Sequence, residues 1–232
     1  MEEVQVRELG PVHLKRLSVY WQRPASMINN RDMVDLDLQS RGLVQCLASS
    51  DRSARAEITP AGIELMILLR EKRIANTRPH HDLGQRLGQW LAQEQGRLVW
   101  TNTEFKAFLQ PVDGQENFKF VKPDVFSILP THNVDKIAPV IHEVKISRAD
   151  FFADVARPEK RGAYLALASA VYYVLPAGMV AVTEVPNECG LLVEEAPGQF
   201  TRLRSIRAKR SKPHPWNMLN MVLKPPHMSP AR

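Results

Sequence analysis

The chain has 232 residues, of which 44% are hydrophobic and 24% charged, an ordinary composition for a globular protein. The formal net charge of +6 permits a polyanionic partner without requiring one. The two cysteines, Cys46 and Cys189, provide neither a CxxC metal pair nor a disulfide framework, which favours a reducing compartment. The acidic, mixed start is unlike a secretory signal, and no apolar run approaches the roughly 20 residues of a membrane span. We therefore expect a cytoplasmic protein without membrane contact.

The first third of the chain predicts three helices and a small hairpin. Apolar residues at helical spacing, terminator residues and polar turn residues mark the elements. In chain order, they are a helix around residues 14–20, a polar helix over 26–39 that ends before Gly42, strands over 43–47 and 56–58, and a helix opened by Thr59-Pro60. Thr59 is expected to cap this last helix, and Pro60 suits its first position.

This order, together with the phrase Ile58-Thr59-Pro60-Ala61-Gly62, resembles the winged helix-turn-helix domain of bacterial regulators over about 65 residues. We assign residues 1–76 to it. The resemblance implies that the polar helix enters the major groove of DNA and that the turn between the strands, the wing, touches phosphate. The arginines that would then face DNA are Arg31 and Arg41 near the helix and Arg52 and Arg55 in the wing.

An acidic helix argues against that contact. The same polar helix carries Asp32, Asp35 and Asp37, whose carboxylates would repel phosphate. Winged helices also serve as interaction or dimerisation modules. Contact with DNA and contact with protein, including a homodimer, therefore both stay open for residues 1–76.

The remaining chain begins with a helix over residues 80–95, in which Leu83, Leu87, Trp90 and Leu91 form one apolar face. Its first residues, His80-His81, point about 100° apart on a helix and are interpreted as a surface helix start rather than a metal site. Strands are predicted over 97–104 and 118–128.

A further strand over residues 139–146 carries charge in an apolar setting. Side chains alternate along a strand, so Glu143 and Lys145 share one face. Such a Val- and Ile-rich strand is expected to be central and buried. Burying a carboxylate and an ammonium there costs several kcal/mol unless the two groups pair with each other or bind something. The alternative is an ordinary Glu143–Lys145 pair on an exposed sheet face.

Asp124 lies about twenty residues upstream, at a predicted strand start. Asp124 and Glu143 supply two hard oxygen ligands, and the carbonyl of Val144 a third, which suits Mg²⁺ or Mn²⁺ with retained waters and phosphate oxygens. Lys145 would orient the attacking water and offset phosphate charge. This set predicts metal-assisted phosphodiester hydrolysis.

Pro123-Asp124 followed by Glu143-Val144-Lys145 resembles the PD-(D/E)XK signature of restriction-type and repair nucleases. The segment from Ser147 to Asp154 and the following Pro158-Glu159 resemble the MmcB-like DNA-repair branch of that superfamily. The resemblance implies a restriction-endonuclease-like α/β domain with a small mixed sheet, which we assign to residues 77–200. It implies a Mg²⁺-dependent deoxyribonuclease in DNA repair or in defence against foreign DNA.

Four further candidate site residues follow from this resemblance and from one departure. The branch often has Lys-Trp where this chain has Ala156-Arg157, so Lys160 or Arg161 is expected to replace the lost phosphate contact. Lys160 and Tyr164 share a helix face, as in the Q-x-x-x-Y element of other members, although a solvated lysine and a core tyrosine would show the same spacing. Glu104, upstream of Pro123-Asp124, is an additional candidate metal ligand or else an edge-strand charge.

The last segment, residues 201–232, is predicted to be a basic tail. Its basic cluster, without an acidic residue, equals the whole net charge: Arg202, Arg204, Arg207, Lys209, Arg210 and Lys212. Trp216 follows closely, and a basic run beside an aromatic residue is typical of nucleic-acid contact. A solubilising tail is the alternative. For the whole chain, the alternative to a nuclease is a DNA-binding regulator whose nuclease-like domain does not cut.

Overall fold

A computed structural model of the chain describes residues 9–23, 27–28, 32–47, 55–209 and 211–231. The chain divides into two compact units, residues 1–77 and 78–232. The helices are α1 (Pro11–Gln22), α2 (Met33–Ser40), α3 (Pro60–Gln93), α4 (Arg148–Val155), α5 (Pro158–Leu167) and α6 (Pro215–Leu223). The strands are β1 (Met27–Ile28), β2 (Val44–Leu47), β3 (Arg55–Ile58), β4 (Leu98–Thr101), β5 (Phe105–Val112), β6 (Gln115–Val121), β7 (Val125–Ile128), β8 (Val140–Val144), β9 (Ala170–Pro176), β10 (Gly190–Ala196) and β11 (Gln199–Arg204).

The N-terminal unit combines α1, α2 and the start of α3 with a three-stranded sheet of order β1-β3-β2. Leu17, Tyr20 and Leu38 form the centre of its core. The predicted helix over 26–39 is wrong in its first half, because residues 27–28 pair with β3 as a short strand. The helix begins only at Met33, since the Asp32 side chain caps it by accepting a hydrogen bond from the Asp35 N–H at 2.9 Å.

The carboxylates of α2 are held by partners within the same unit. Arg16 contacts Asp32 and Asp35, each at 2.8 Å. Asp35 is fully buried and also accepts a hydrogen bond from the Tyr20 hydroxyl at 3.0 Å. Arg41 lies 2.9 Å from Asp37. Much of the acidity expected to repel phosphate is therefore neutralised internally, and the guanidinium of Arg41 is part of that network.

One helix, α3, replaces the two that the sequence predicts, one opened by Thr59-Pro60 and running over 61–72 and the other over 80–95. Pro79 lies inside it, where a proline lacks the N–H that an interior helical position would donate. Near this interruption, the Thr77 hydroxyl donates to the carbonyls of Arg73 and Ile74 at 3.0 and 3.2 Å.

The C-terminal unit contains a six-stranded mixed sheet of order β11-β10-β9-β8-β7-β4. The β8–β9 and β9–β10 pairs are parallel, and the others are antiparallel. This confirms a mixed α/β fold with a mixed sheet. The single strand predicted over 118–128 is instead two, β6 and β7, which separate at Lys122-Pro123-Asp124 and belong to different sheets.

The two faces of the sheet pack against different helices. On one face, Val144 and Val174 pack with Leu83 and Leu87 of α3. On the other, strand and helix residues form a larger core that includes Ile141 of β8 and Phe151 of α4, together with residues of α5. Because side chains alternate along β8, its odd-numbered residues face α4 and α5.

The expected basic tail is folded. Strand β11 pairs with β10, and α6 packs beside β5. The chain end is also attached, since Val99 donates its N–H to the Met228 carbonyl at 2.9 Å, and the Trp100 indole donates to the Lys224 carbonyl at 2.6 Å. Residues from 201 onward thus belong to the folded C-terminal unit, which corrects the prediction of a separate tail. None of the helices in the described part of the chain is both long and apolar enough to cross a bilayer.

Candidate active site

Adjacent strands bring Asp124 next to Glu143. Val125 of β7 pairs with His142 of β8 in an antiparallel register, so the preceding Asp124 lies opposite the following Glu143. The Val144 N–H donates to Asp124 Oδ2 at 2.9 Å. The carbonyl of a strand residue points to the same side as its N–H, which directs the Val144 oxygen toward Asp124. Three of the predicted site residues therefore meet at one end of the sheet.

Glu143 and Lys145 form a buried pair. Their exposed fractions are 3% and 5%, and Lys145 Nζ lies 2.9 Å from Glu143 Oε1. The alternative of a pair on an exposed sheet face is thus wrong. Burial raises the pKa of Glu143, and the nearby charge of Asp124 raises it further. The second oxygen, Oε2, is buried and has no hydrogen-bond partner within the described residues.

Lys160 completes this cluster from helix α5. Its Nζ lies 2.5 Å from Glu143 Oε1 and 2.5 Å from Asp154 Oδ1. Asp154 is buried, accepts a hydrogen bond from the Tyr173 hydroxyl at 3.0 Å, and lies 3.6 Å from Lys145 Nζ. Burial alone would raise the pKa of Asp154, but the hydrogen bond from Lys160 and the charge of Lys145 hold it below its ordinary value. Asp154 is not among the residues for which the sequence predicts a role in the site.

Of the other residues expected on α5, Tyr164 is at the site and Arg161 is not. Lys160 Nζ lies 5.4 Å from the centre of the Tyr164 ring, and the buried Tyr164 hydroxyl donates to the Lys122 carbonyl at 3.5 Å. Burial and the charge of Glu143 raise the pKa of Tyr164. The Arg161 guanidinium instead contacts Glu188 at 2.6 Å and the carbonyl of Val155. Of the two basic residues predicted to contact phosphate from α5, only Lys160 lies at the site.

The sequence predicts an exposed position for His80 at a helix start, but the structure places it against Asp124. Its Nε2 lies 3.3 Å from Asp124 Oδ2, and this hydrogen bond raises the pKa of His80. Both residues line a cavity of about 330 Å³, together with Gln85 and Asn102. The helical spacing could have revealed His80, because it precedes Leu83 and Leu87 by three and seven residues and so shares their inward face.

Glu104 lies between β4 and β5 with an exposed side chain, and its carbonyl accepts a hydrogen bond from Asn220 at 2.9 Å. No described contact joins its carboxylate to the cluster. Within the described residues, no group of three or more His, Cys, Asp or Glu side chains is arranged to hold a metal. A divalent ion here would depend on Asp124, Glu143, a backbone oxygen and water.

The predicted DNA-contacting arginines and lysines have different environments. Arg204 donates to the carbonyls of Cys189, Val182, Val185 and Pro186, which assigns it a structural role. Arg202 lies 5.4 Å from the Tyr172 ring, Lys209 reaches the Leu165 carbonyl, and Lys212 pairs with Asp135 at 3.0 Å. Arg207 is exposed, as is Arg55 on β3. Arg31, Arg52 and Arg210 lie outside the described residues.

No family model and no curated protein matches the chain. Among solved structures, it is similar to a protein of unknown function from Silicibacter pomeroyi. The two are 23% identical, the match covers 63% of this chain and 82% of the other, and the TM-score is 0.42.

Proposed function

We propose that the C-terminal unit is a metal-dependent DNA nuclease of the PD-(D/E)XK type. The observation that supports it most is the buried Oε2 of Glu143, which accepts no hydrogen bond within 3.5 Å from the described residues and lies beside a second carboxylate. An unsatisfied buried carboxylate oxygen is costly, so its persistence favours a ligand that the protein itself does not supply. Two hard carboxylate oxygens beside the ammonium groups of Lys145 and Lys160 suit Mg²⁺ or Mn²⁺.

The chain's own residues would hold and orient the reacting groups. Asp124 and Glu143 would be the ligands, with the Val144 carbonyl on the same side. Such an ion activates water and polarises the phosphoryl group. Lys145 is held by Glu143 and Asp154, which fixes its ammonium for a water or a phosphate oxygen. His80 and the Val144 N–H orient Asp124 from two directions.

The N-terminal unit is proposed to be a winged helix that assists DNA binding. Its element order and three-stranded sheet favour that assignment. The internal pairing of Asp35 and Asp37 weakens the charge objection to DNA contact. Repair or defence against foreign DNA remains the proposed setting.

A DNA-binding regulator that does not cut is a second candidate, because internal partners occupy part of the site. Glu143 Oε1 accepts from both Lys145 and Lys160, and His80 contacts Asp124. In this alternative, the charges are balanced without an ion.

Cleavage assays separate the two candidates. Purified protein is incubated with labelled single-stranded, duplex, flap and branched DNA in Mg²⁺, Mn²⁺ or chelator. The nuclease proposal expects cleavage of at least one substrate that stops in chelator. DNA binding without cleavage of any substrate in either metal would favour the regulator.

A further inference from the structure

The outer face of the β5–β6 hairpin is aromatic, whereas a sheet face toward water is ordinarily polar. The strand register pairs Lys106 with Phe120 and Phe108 with Phe118, so these four side chains share one face. Phe118 and Phe120 are 39% and 50% exposed. A contiguous exposed apolar patch marks an interaction surface.

The start of α6 extends this face. The His214 ring stacks on Phe108 at 3.6 Å between centroids, and Trp216 lies 6.1 Å from Phe120 in an edge-to-face arrangement. Buried Asn217 fixes the helix against the edge of β5, because its amide donates to the Lys106 carbonyl at 2.8 Å and accepts from the Lys106 N–H at 3.0 Å. We name the set Lys106, Phe108, Phe118, Phe120, His214 and Trp216 the aromatic platform.

Cationic groups accompany the rings. Lys106 Nζ lies 4.1 Å from the Phe118 ring centre and 4.8 Å from that of Trp216. Lys212, from the basic segment, lines the same small cavity of about 60 Å³ as Lys106. A carboxylate, Glu116, is also present and lies 3.8 Å from His214. Stacking surfaces with adjacent lysines match unpaired bases and their phosphates.

The platform also lies close in the chain to the candidate active site. Strand β6 ends at Val121, and Phe120 precedes Asp124 by four residues. Four extended residues span at most about 13 Å, so the Cα atoms of Phe120 and Asp124 lie within that distance. A strand whose bases stack on the platform could therefore place its backbone at the carboxylates.

We propose that the aromatic platform binds unpaired bases of single-stranded DNA, so that the substrate carries a single-stranded segment next to the scissile bond. The part that concerns cleavage rests on the proposed nuclease function. The binding itself does not, since it needs neither the metal nor the carboxylates.

The test measures binding of a labelled oligonucleotide by fluorescence anisotropy in chelator, where no cleavage occurs. The variant is Phe118→Leu with Phe120→Leu, which keeps apolar side chains but removes two ring faces. The matched control is Phe152→Leu on α4, because Phe152 is also 39% exposed and also has a cation, Arg148, 5.0 Å from its ring. Ligands are a single strand, an abasic strand of equal length and a blunt duplex.

Stacking of one base on an aromatic side chain corresponds to about 5- to 150-fold in affinity. We expect the double variant to lose at least about tenfold in single-strand affinity, and Phe152→Leu to lose less than about twofold. The wild type and the double variant should bind the abasic strand with the same low affinity. Equal affinity of wild type and double variant for the single strand would overturn the proposal, as would equal wild-type affinity for the normal and abasic strands.

Two other results are decisive in different ways. If the wild type sediments as a dimer that Phe118→Leu with Phe120→Leu dissociates, the platform is an interface between copies of the chain and the proposal is overturned. If single-strand binding depends on the platform but no metal supports cleavage, the platform stands and the nuclease proposal fails.

Discussion

Replacing Lys145 tests whether its ammonium acts in catalysis or only stabilises the fold. Lys145→Met keeps most of the aliphatic stem and removes the charge that lies 2.9 Å from Glu143. Removing one partner of a buried pair typically costs about 3–5 kcal/mol. Because Lys160 still donates to the same carboxylate oxygen, we expect the lower end, about 3 kcal/mol, or a fall in Tm of about 6–12 °C.

The matched control is Lys160→Met, which removes the other bond to the same oxygen and a bond to Asp154. We expect a comparable loss of Tm, because both lysines neutralise the same buried carboxylate. The rates should differ. A positioned electrostatic group contributes about 10²–10³ in rate, so Lys145→Met should lower kcat by that factor and Lys160→Met by less than about tenfold.

The assay is single-turnover DNA cleavage in Mn²⁺, at a temperature where circular dichroism shows both variants folded. DNA affinity is measured in Ca²⁺, to confirm that Lys145→Met still binds. Equal loss of kcat in the two variants would refute a catalytic role for Lys145 and would assign both lysines to charge balance.

Three further outcomes follow from other sites. Asp124→Asn keeps an acceptor for the Val144 N–H but removes a ligand charge. In thermal melts, Ca²⁺ at about 100 times its Kd should stabilise the wild type by about 2.7 kcal/mol and the variant much less. Equal shifts in melting temperature would exclude Asp124 as a ligand. Burial lowers the pKa of His142 to about 3, while the unfolded value is about 6.5, so stability is fully present above pH 6.5 and is lost as pH falls, by about 2 kcal/mol at pH 5. Urea unfolding of His142→Phe, which retains a ring beside Tyr172, should lack most of that slope between pH 7 and 5, and an unchanged slope would assign it to other groups. Burial raises the pKa of the Cys189 thiol to about 12, whereas Cys46 is exposed. A thiol reagent should therefore label one cysteine in the native protein and two in denaturant. Rapid labelling of both cysteines in the native protein would contradict the buried position of Cys189.

The sequence predicted the strand residues of the site and two residues of α5, Lys160 and Tyr164, but not the contributions of α3 and α4. Alternation along β8 placed Glu143 and Lys145 on one face, and their contact confirms it. Asp154 and His80 were missed because they reach the site by tertiary packing of α4 and α3, which strand periodicity does not encode. The apparent break at Pro79 also concealed that His80 continues the inward face of a long helix.

The C-terminal segment shows a second limit. Its positive charge favoured a separate tail that contacts nucleic acid, yet Arg202 and Arg204 lie on the edge strand β11, where charged residues are common because they discourage pairing with other chains. The Arg204 guanidinium donates to backbone carbonyls, including that of Cys189, and composition alone does not predict these contacts. The sequence likewise predicts only part of the aromatic platform. Trp216 stands out because it follows the basic segment, whereas Phe118 and Phe120 join it only through the pairing of β5 and β6.

The role of the buried Glu143 oxygen is tested most directly by the single-turnover rate of DNA cleavage as a function of Mn²⁺ concentration, for the wild type and Glu143→Gln. The substitution keeps the shape of the side chain and removes the charge that would hold the ion. We predict a saturable, chelator-sensitive rate for the wild type and a loss of at least about 10²-fold for the variant, with the fold verified by circular dichroism. Cleavage that persists at the wild-type rate in Glu143→Gln, or that persists in chelator, would contradict a metal centre at Asp124 and Glu143.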